Sequence, residues 1–187
     1  SATLGLAVVA HHPEPKPMST ILWKESWTLG IDPIDAEHQE LVNGINQLAS
    51  RFSEDPGAGG ESLAGSHQEI QDSLAARHLA LMMALDDLAN LARRHFQHEE
   101  ALMRAIDYPE LASHRSEHAL LVAEYVEMVR ELERQYLTRL DAETLHSLHR
   151  WLVSHMVGAD KAYADHYFKL LGLGKHFPSH PLLSRRP

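Results

Sequence analysis

Apolar side chains recur along this chain at intervals of three and four residues, the period of helices that each bury one face. In the first such stretch Leu41, Ile45 and Leu48 form the stripe, with Asp35 as the expected N-cap and Pro33 just upstream. That helix reaches about Phe52 and is stopped by Asp55-Pro56-Gly57-Ala58-Gly59-Gly60. A second stripe runs without a breaker from about Ser66 to Ile106, through Leu74, His78, Leu81, Leu85, Leu88, Ala92, His95, Glu99, Leu102 and Ile106. About 40 residues is long for a helix in a globular domain, so the pattern allows a kink or break near His78. A third helix is expected to begin with Pro109 in its first turn and carries Leu111, His114, His118, Leu121, Tyr125, Met128 and Leu132 inward. A fourth is capped by Asp141 and runs to about Leu171, where Gly172 and Gly174 end it. No strand pattern interrupts them. The fold class is therefore all-α, an antiparallel up-down-up-down four-helix bundle, with an ordered, non-helical arm from Trp23 to Gly30 ahead of it.

The expected organisation is one bundle domain at 23–174, an N-terminal extension or linker at 1–22 and a tail at 175–187. Residues His11–Pro17 are polar and proline-rich, and Met18 would serve as a natural start. The apolar run Leu4–Ala10 is short and lacks the basic flank of a signal peptide. With 44% hydrophobic residues the chain can bury a real core. Seventeen basic against 26 acidic residues give a formal charge of −9, which argues against nucleic acid as a partner. No apolar run approaches the roughly 20 residues that span a bilayer, so no membrane partner and a cytoplasmic location are expected. The absence of cysteine removes disulfides, thiolate zinc sites, Fe–S clusters and c-type haem attachment.

The 15 histidines change the picture, because imidazole is the commonest side-chain ligand of transition metals. His95 and Glu99 lie four apart on the apolar face of the second helix, and His114 and His118 repeat that spacing on the third. His155 follows Trp151 and Leu152 on the fourth, and His38 begins the inner face of the first. One inward histidine is ordinarily a satisfied core residue; imidazole or carboxylate on the inner face of four helices is harder to explain so. A buried carboxylate needs a partner, and a metal would serve both Glu99 and Asp160. His155 and Asp160, however, are about 140° apart on a regular helix, so spacing does not by itself place Asp160 at a shared metal. Gly158 between them offers a point of distortion. Five nitrogen donors and two carboxylates suit two iron ions, although ligand type alone does not choose among neighbouring first-row metals.

Four separated blocks then resemble the bacterial hemerythrins. His95-Phe96-Gln97-His98-Glu99-Glu100-Ala101-Leu102-Met103 is similar to their HFxxEExLM signature. Tyr108-Pro109 followed by His114 and His118 resembles their YP…HxxxH, and the stretch from Trp151 through Leu152, His155 and Asp160 to Lys161 resembles WLxxHIxxxDK. Trp23, Leu29-Gly30-Ile31 and Ile34 to Leu41 are similar to the N-terminal W…LGI..IDxQHxxL. The resemblance implies two iron ions, one on His114, His118 and His155 and the other on His38 and His95, bridged by Glu99, Asp160 and an oxo or hydroxo group. It implies reversible dioxygen binding at the second iron, for storage, buffering or delivery rather than catalysis, inside an apolar pocket of Leu41, Phe96, Trp151, Leu152 and Met156. An oxygen-consuming enzyme or a signalling protein would be the partner.

Three departures from the family accompany this. Glu37 stands where glutamine is common and is expected to face solvent. The stretches between His38 and His95 and between His118 and His155 are longer than usual, which should lengthen the bundle at the end away from the arm. Ten further histidines, including His78, His98 and the pair His146 and His149, are expected at the surface. Two alternatives keep the fold: a di-iron enzyme acting on peroxide or nitric oxide, or an oxygen sensor. A ferritin-like oxidase would need two ExxH motifs on separate helices, and only Glu143-Thr144-Leu145-His146 is present.

Overall fold

The structure is a computed structural model that describes residues 20–53 and 66–172. Its helices are α1 (Asp32–Phe52), α2 (His67–Ala105), α3 (Leu111–Arg134), α4 (Ala142–Val157) and α5 (Ala159–Leu170). Helices α4 and α5 are the two halves of the fourth bundle helix, divided at Gly158. The described residues contain no strand, and the chain folds as the all-helical four-helix bundle that the periodicity predicts. No described helix is long and apolar enough to cross a membrane. The linker at 11–17, Met18, the helix stop at 55–60, Gly174, the tail at 175–187 and His11, His12, His176 and His180 lie outside the described residues.

Local chemistry sets the helix ends. Ser66 and Glu69 form a reciprocal capping box at the start of α2, each satisfying a backbone N–H of the other. Helix α2 then continues unbroken past His78 for 39 residues. Asp141 caps α4 as expected, accepting from the Thr144 N–H at 2.7 Å. Helices α2 and α3 both end in the paired backbone bonds of a Schellman turn, with Asp107 and Tyr136 in the left-handed region at φ 47° and 51°. Pro109 sits in the connection just before the Glu110 cap rather than in the first turn of α3.

The start of α1 corrects the expectation for Asp35. The N-cap is Ile31, and Asp35 lies a turn inside the helix. Its carboxylate reaches back to the N–H groups of Leu29 and Gly30 at 2.7 and 2.9 Å, while Gly30 supplies the left-handed φ of 84° that the bend requires. The arm is ordered and contains one short 3-10 turn, Glu25–Trp27. It lies back along the bundle, where Asn46 of α1 pairs with both backbone groups of Ile21.

Two apolar clusters fill the interior. The larger runs from Trp27 and Leu41 through Ile45, Leu81, Leu85 and Leu148 to Met156. The smaller joins Leu29, Ile31, Ile34, Met103, Tyr163, Tyr167 and Phe168 near the start of α1. At the opposite end Leu140 donates its N–H to the Phe52 carbonyl at 2.8 Å, closing the α3–α4 connection over the core. There α2 begins well outside the packed interior, since no residue before His78 on it is buried. His78 itself departs from the surface expectation. It is buried, bonded through Nδ1 to the Leu137 carbonyl at 2.7 Å and stacked on Tyr136.

Candidate metal centre

A layer of buried polar groups lies between the two apolar clusters. His38 comes from α1, His95 and Glu99 from α2, His114 and His118 from α3, His155 from α4 and Asp160 from α5, and all seven are buried. The structure thus brings all seven candidate ligands to one place. Their ligand atoms fall into two groups that share both carboxylates: Glu99, His114, His118, His155 and Asp160 in one, and His38, His95, Glu99 and Asp160 in the other. Within each group the atoms lie within 4.8 Å of one another.

Asp160 reaches the layer because the fourth helix breaks. Gly158, at φ −105° and ψ −91°, interrupts the helical path between His155 and Asp160. A Cβ at position 158 would stand 3.0 Å from the Ser154 carbonyl oxygen, which is why glycine suits the break. The result is a distance of 3.1 Å between His155 Nε2 and Asp160 Oδ1, where a regular helix would separate them by about 140°.

The electrostatics are poised for a cation. Burial alone would lift the Glu99 carboxyl, but the imidazoles of His95, His114, His118 and His38 hold it well below the usual range. Burial depresses His155. For His38 burial is outweighed by Asp160 and Glu99, and the ring is raised. Meanwhile Nε2 of His38, His95 and His114 and both oxygens of Asp160 find no hydrogen-bond partner among the described residues. Buried polar atoms are nearly always paired, so unpaired atoms converging from four elements have the donor character of a metal site. The residues therefore fit a pair of bound ions.

Several neighbours escape a reading of the sequence. Tyr163 donates its hydroxyl to Glu99 Oε1 at 2.7 Å and is fully buried. Its only sequence signal is a position three residues beyond Asp160 on one helical face. Glu37 does not face solvent as expected but turns into the α1–α2 seam, accepting from His95 Nδ1 at 3.1 Å and from His98. Glu100 does the same for His118 Nδ1 at 3.2 Å. Of the other histidines, His98 is exposed on Glu37, His146 is exposed, and His149 is half-buried near Trp27.

The apolar residues expected to form a pocket divide. Phe96, Trp151, Leu152 and Met156 line a narrow gap beside His95 and His155, with Leu121 as a further wall. None of this gap is wide enough for a water molecule. Leu41 is buried in the same apolar cluster but does not line the gap. Phe96 also stacks on the His118 ring with centroids 4.0 Å apart.

Residues 29–167 match the family model described as the hemerythrin HHE cation binding domain. The bacteriohemerythrin of Stenotrophomonas maltophilia is 28% identical over 148 residues, covering 79% of this chain and 82% of that protein. The myohemerythrin of Theromyzon tessulatum is 25% identical over 141 residues, covering 75% and 88%. Among solved structures, a leucine-to-alanine mutant of hemerythrin superposes with a TM-score of 0.60 at 19% identity, covering 80% of this chain and 98% of that one, a likeness of fold.

Proposed function

The chain belongs to the hemerythrin HHE cation-binding family, and on that footing we propose that it binds dioxygen reversibly at a non-haem di-iron centre. The observation that carries the reading is the division of seven buried groups into two clusters sharing Glu99 and Asp160. In this reading His114, His118 and His155 would hold one iron, His38 and His95 would hold the other, and Glu99 and Asp160 would be shared between them. Two ferrous ions would supply the two electrons with which dioxygen is taken up and given back.

The remaining work belongs to the chain's own side chains. Three imidazoles would hold one ion and two the other, so the ion on the His38–His95 half would have the fewer protein ligands. Phe96, Trp151, Leu152 and Met156 close over the side of His95 with apolar surface, so they keep water away from that half. Excluding water limits proton delivery, which protects reversibly bound oxygen from being consumed. Tyr163, held on Glu99, fixes one bridging carboxylate, and Glu37 and Glu100 fix two of the ligating rings from outside. The function is carriage or buffering of oxygen rather than turnover, in a soluble protein of the cytoplasm.

The test is to reduce the iron-loaded protein anaerobically, admit oxygen while recording the visible spectrum, and then sweep the oxygen away. A charge-transfer band that rises and then disappears as oxygen leaves is the expected result. Direct passage to a stable oxidised form without that band would end the carrier reading and favour an enzyme or sensor acting on peroxide, nitric oxide or oxygen.

A further inference from the structure

One histidine outside the converging seven is tied to them. His98 has a side chain 54% exposed, yet its Nδ1 is hydrogen-bonded to Glu37 Oε1. The other oxygen of the same carboxylate accepts from Nδ1 of buried His95 at 3.1 Å. His95 and His98 are three residues apart on α2, so both rings lean over the first turns of α1 and grip Glu37 from the same side.

A neutral imidazole carries one N–H. For His95 to present the Nε2 lone pair inward, where Glu99 Oε2 lies 3.4 Å away, its proton must sit on Nδ1 and face Glu37. Glu37 is a long, flexible side chain near the edge of the α1–α2 seam, and left alone it gains hydration and rotamer freedom by turning to water. His98 holds it by its second oxygen. We propose that His98 is a positioning residue: through Glu37 it fixes the tautomer and ring orientation of His95, and so tightens the hold on a metal ion at the two-histidine half of the centre. This rests on the di-iron reading above.

A second instance of the same construction supports it. On the three-histidine half Glu100 Oε1 faces His118 Nδ1 at 3.2 Å, and its other oxygen is held by Arg115 Nε at 3.0 Å. Each outer carboxylate thus stands between one buried ring and one exposed anchor. The Arg94–Glu40 ion pair, at 3.0 Å, spans the same α1–α2 seam but touches neither ring, which makes it a control for mere helix register.

The experiment loads the full chain, His98→Ala, His98→Gln and Arg94→Ala with ferrous iron under anaerobic conditions, counts iron per chain, and follows release to a ferrous chelator. In His98→Ala one ion per chain should leave about 10–100-fold faster while the other keeps its rate, the size expected for loss of an outer partner of a ligating histidine. His98→Gln, whose amide can still donate to Glu37, should recover most of the lost retention, and Arg94→Ala should behave as the parent. Release unchanged in His98→Ala, equal acceleration of both ions, or the same defect in Arg94→Ala would overturn the positioning role while leaving the di-iron reading intact. A parent chain that takes up fewer than two ions would refute the di-iron reading itself, and this proposal with it.

Discussion

Helices α1 and α3 are similar in length, 21 and 24 residues, yet they are held to the bundle by different forces. The buried face of α1 includes Ile34, Leu41, Val42, Ile45, Leu48 and Phe52 around a single histidine, His38, and Asp35. Helix α3 buries only His114, His118, Tyr125 and Leu132, so half of its anchors are candidate metal ligands. Its seams are also looser. A groove of about 580 Å³ opens between α3 and α4 beside Leu121 and Trp151, and another of about 670 Å³ opens between α2 and α3 beside Gln97 and Val122. The hydrophobic effect docks α1, at about 1.5–3 kcal/mol for each fully buried aliphatic side chain. Burying imidazole brings no such gain unless its nitrogens are paired. Polar ties replace the missing apolar area on α3: Tyr125 donates to the Leu85 carbonyl, and Trp151 donates to the Leu121 carbonyl. By this contrast, a bound metal would add more to the docking of α3 than to that of α1.

Truncation of the two helices probes the contrast most strongly. Ile45→Ala on α1 removes a fully buried side chain and should cost about 2–5 kcal/mol, whereas Leu121→Ala on α3, only half-buried, should cost about 1 kcal/mol. Denaturant unfolding of the iron-loaded chains measures both, and equal costs would erase the distinction. Next in size is metal withdrawal. Stripping iron with a chelator should speed amide exchange in α3 around His114–Tyr125 by about tenfold or more, with a smaller change in α1 from Leu41 to Phe52. Uniform loss of protection in both helices would show that α3 has no special dependence on the ions. The smallest effect is expected from Tyr125→Phe, which deletes the hydroxyl donated to the Leu85 carbonyl at 2.7 Å. About 1 kcal/mol should be lost, and metal-stripped protein should feel it more than loaded protein, because the remaining anchors of α3 are then fewer.

Much of the fold was legible in the order of residues. Stripes at helical spacing located all four bundle helices, and the Asp141 cap and the stop after Leu171 fell where turn chemistry predicts. The residues of the site were legible in a different way. Spacing alone paired His95 with Glu99 and His114 with His118, but it left Asp160 open until the resemblance supplied it. The break at Gly158 explains why. A regular-helix argument fails where one residue abandons helical dihedrals, and nothing local dictates that glycine must do so. Asp35 was misplaced for a related reason: aspartate serves equally as an N-cap or as an acceptor for the loop before the helix, and the bend at Gly30 selects the second role.

Period and local backbone chemistry are properties of the linear chain, and they account for the helices, their buried faces, the Asp141 cap, and the inward direction of six of the seven polar groups, Asp160 being turned in by the break at Gly158. Which of those polar groups meet, and what stands behind them, depends on how the helices pack. Glu37 and His98 are ordinary surface residues in a linear reading, and His78 is one more histidine on a long helix. Only the approach of α1 to α2 turns Glu37 toward His95, and only the α3–α4 connection folding over the end of the bundle buries His78 against Leu137. Tyr163 likewise becomes a partner of Glu99 only when α5 packs across α2. The physical reason is common to all three: a polar side chain has no preferred direction until another element arrives with the complementary group and excludes the water that would otherwise serve it.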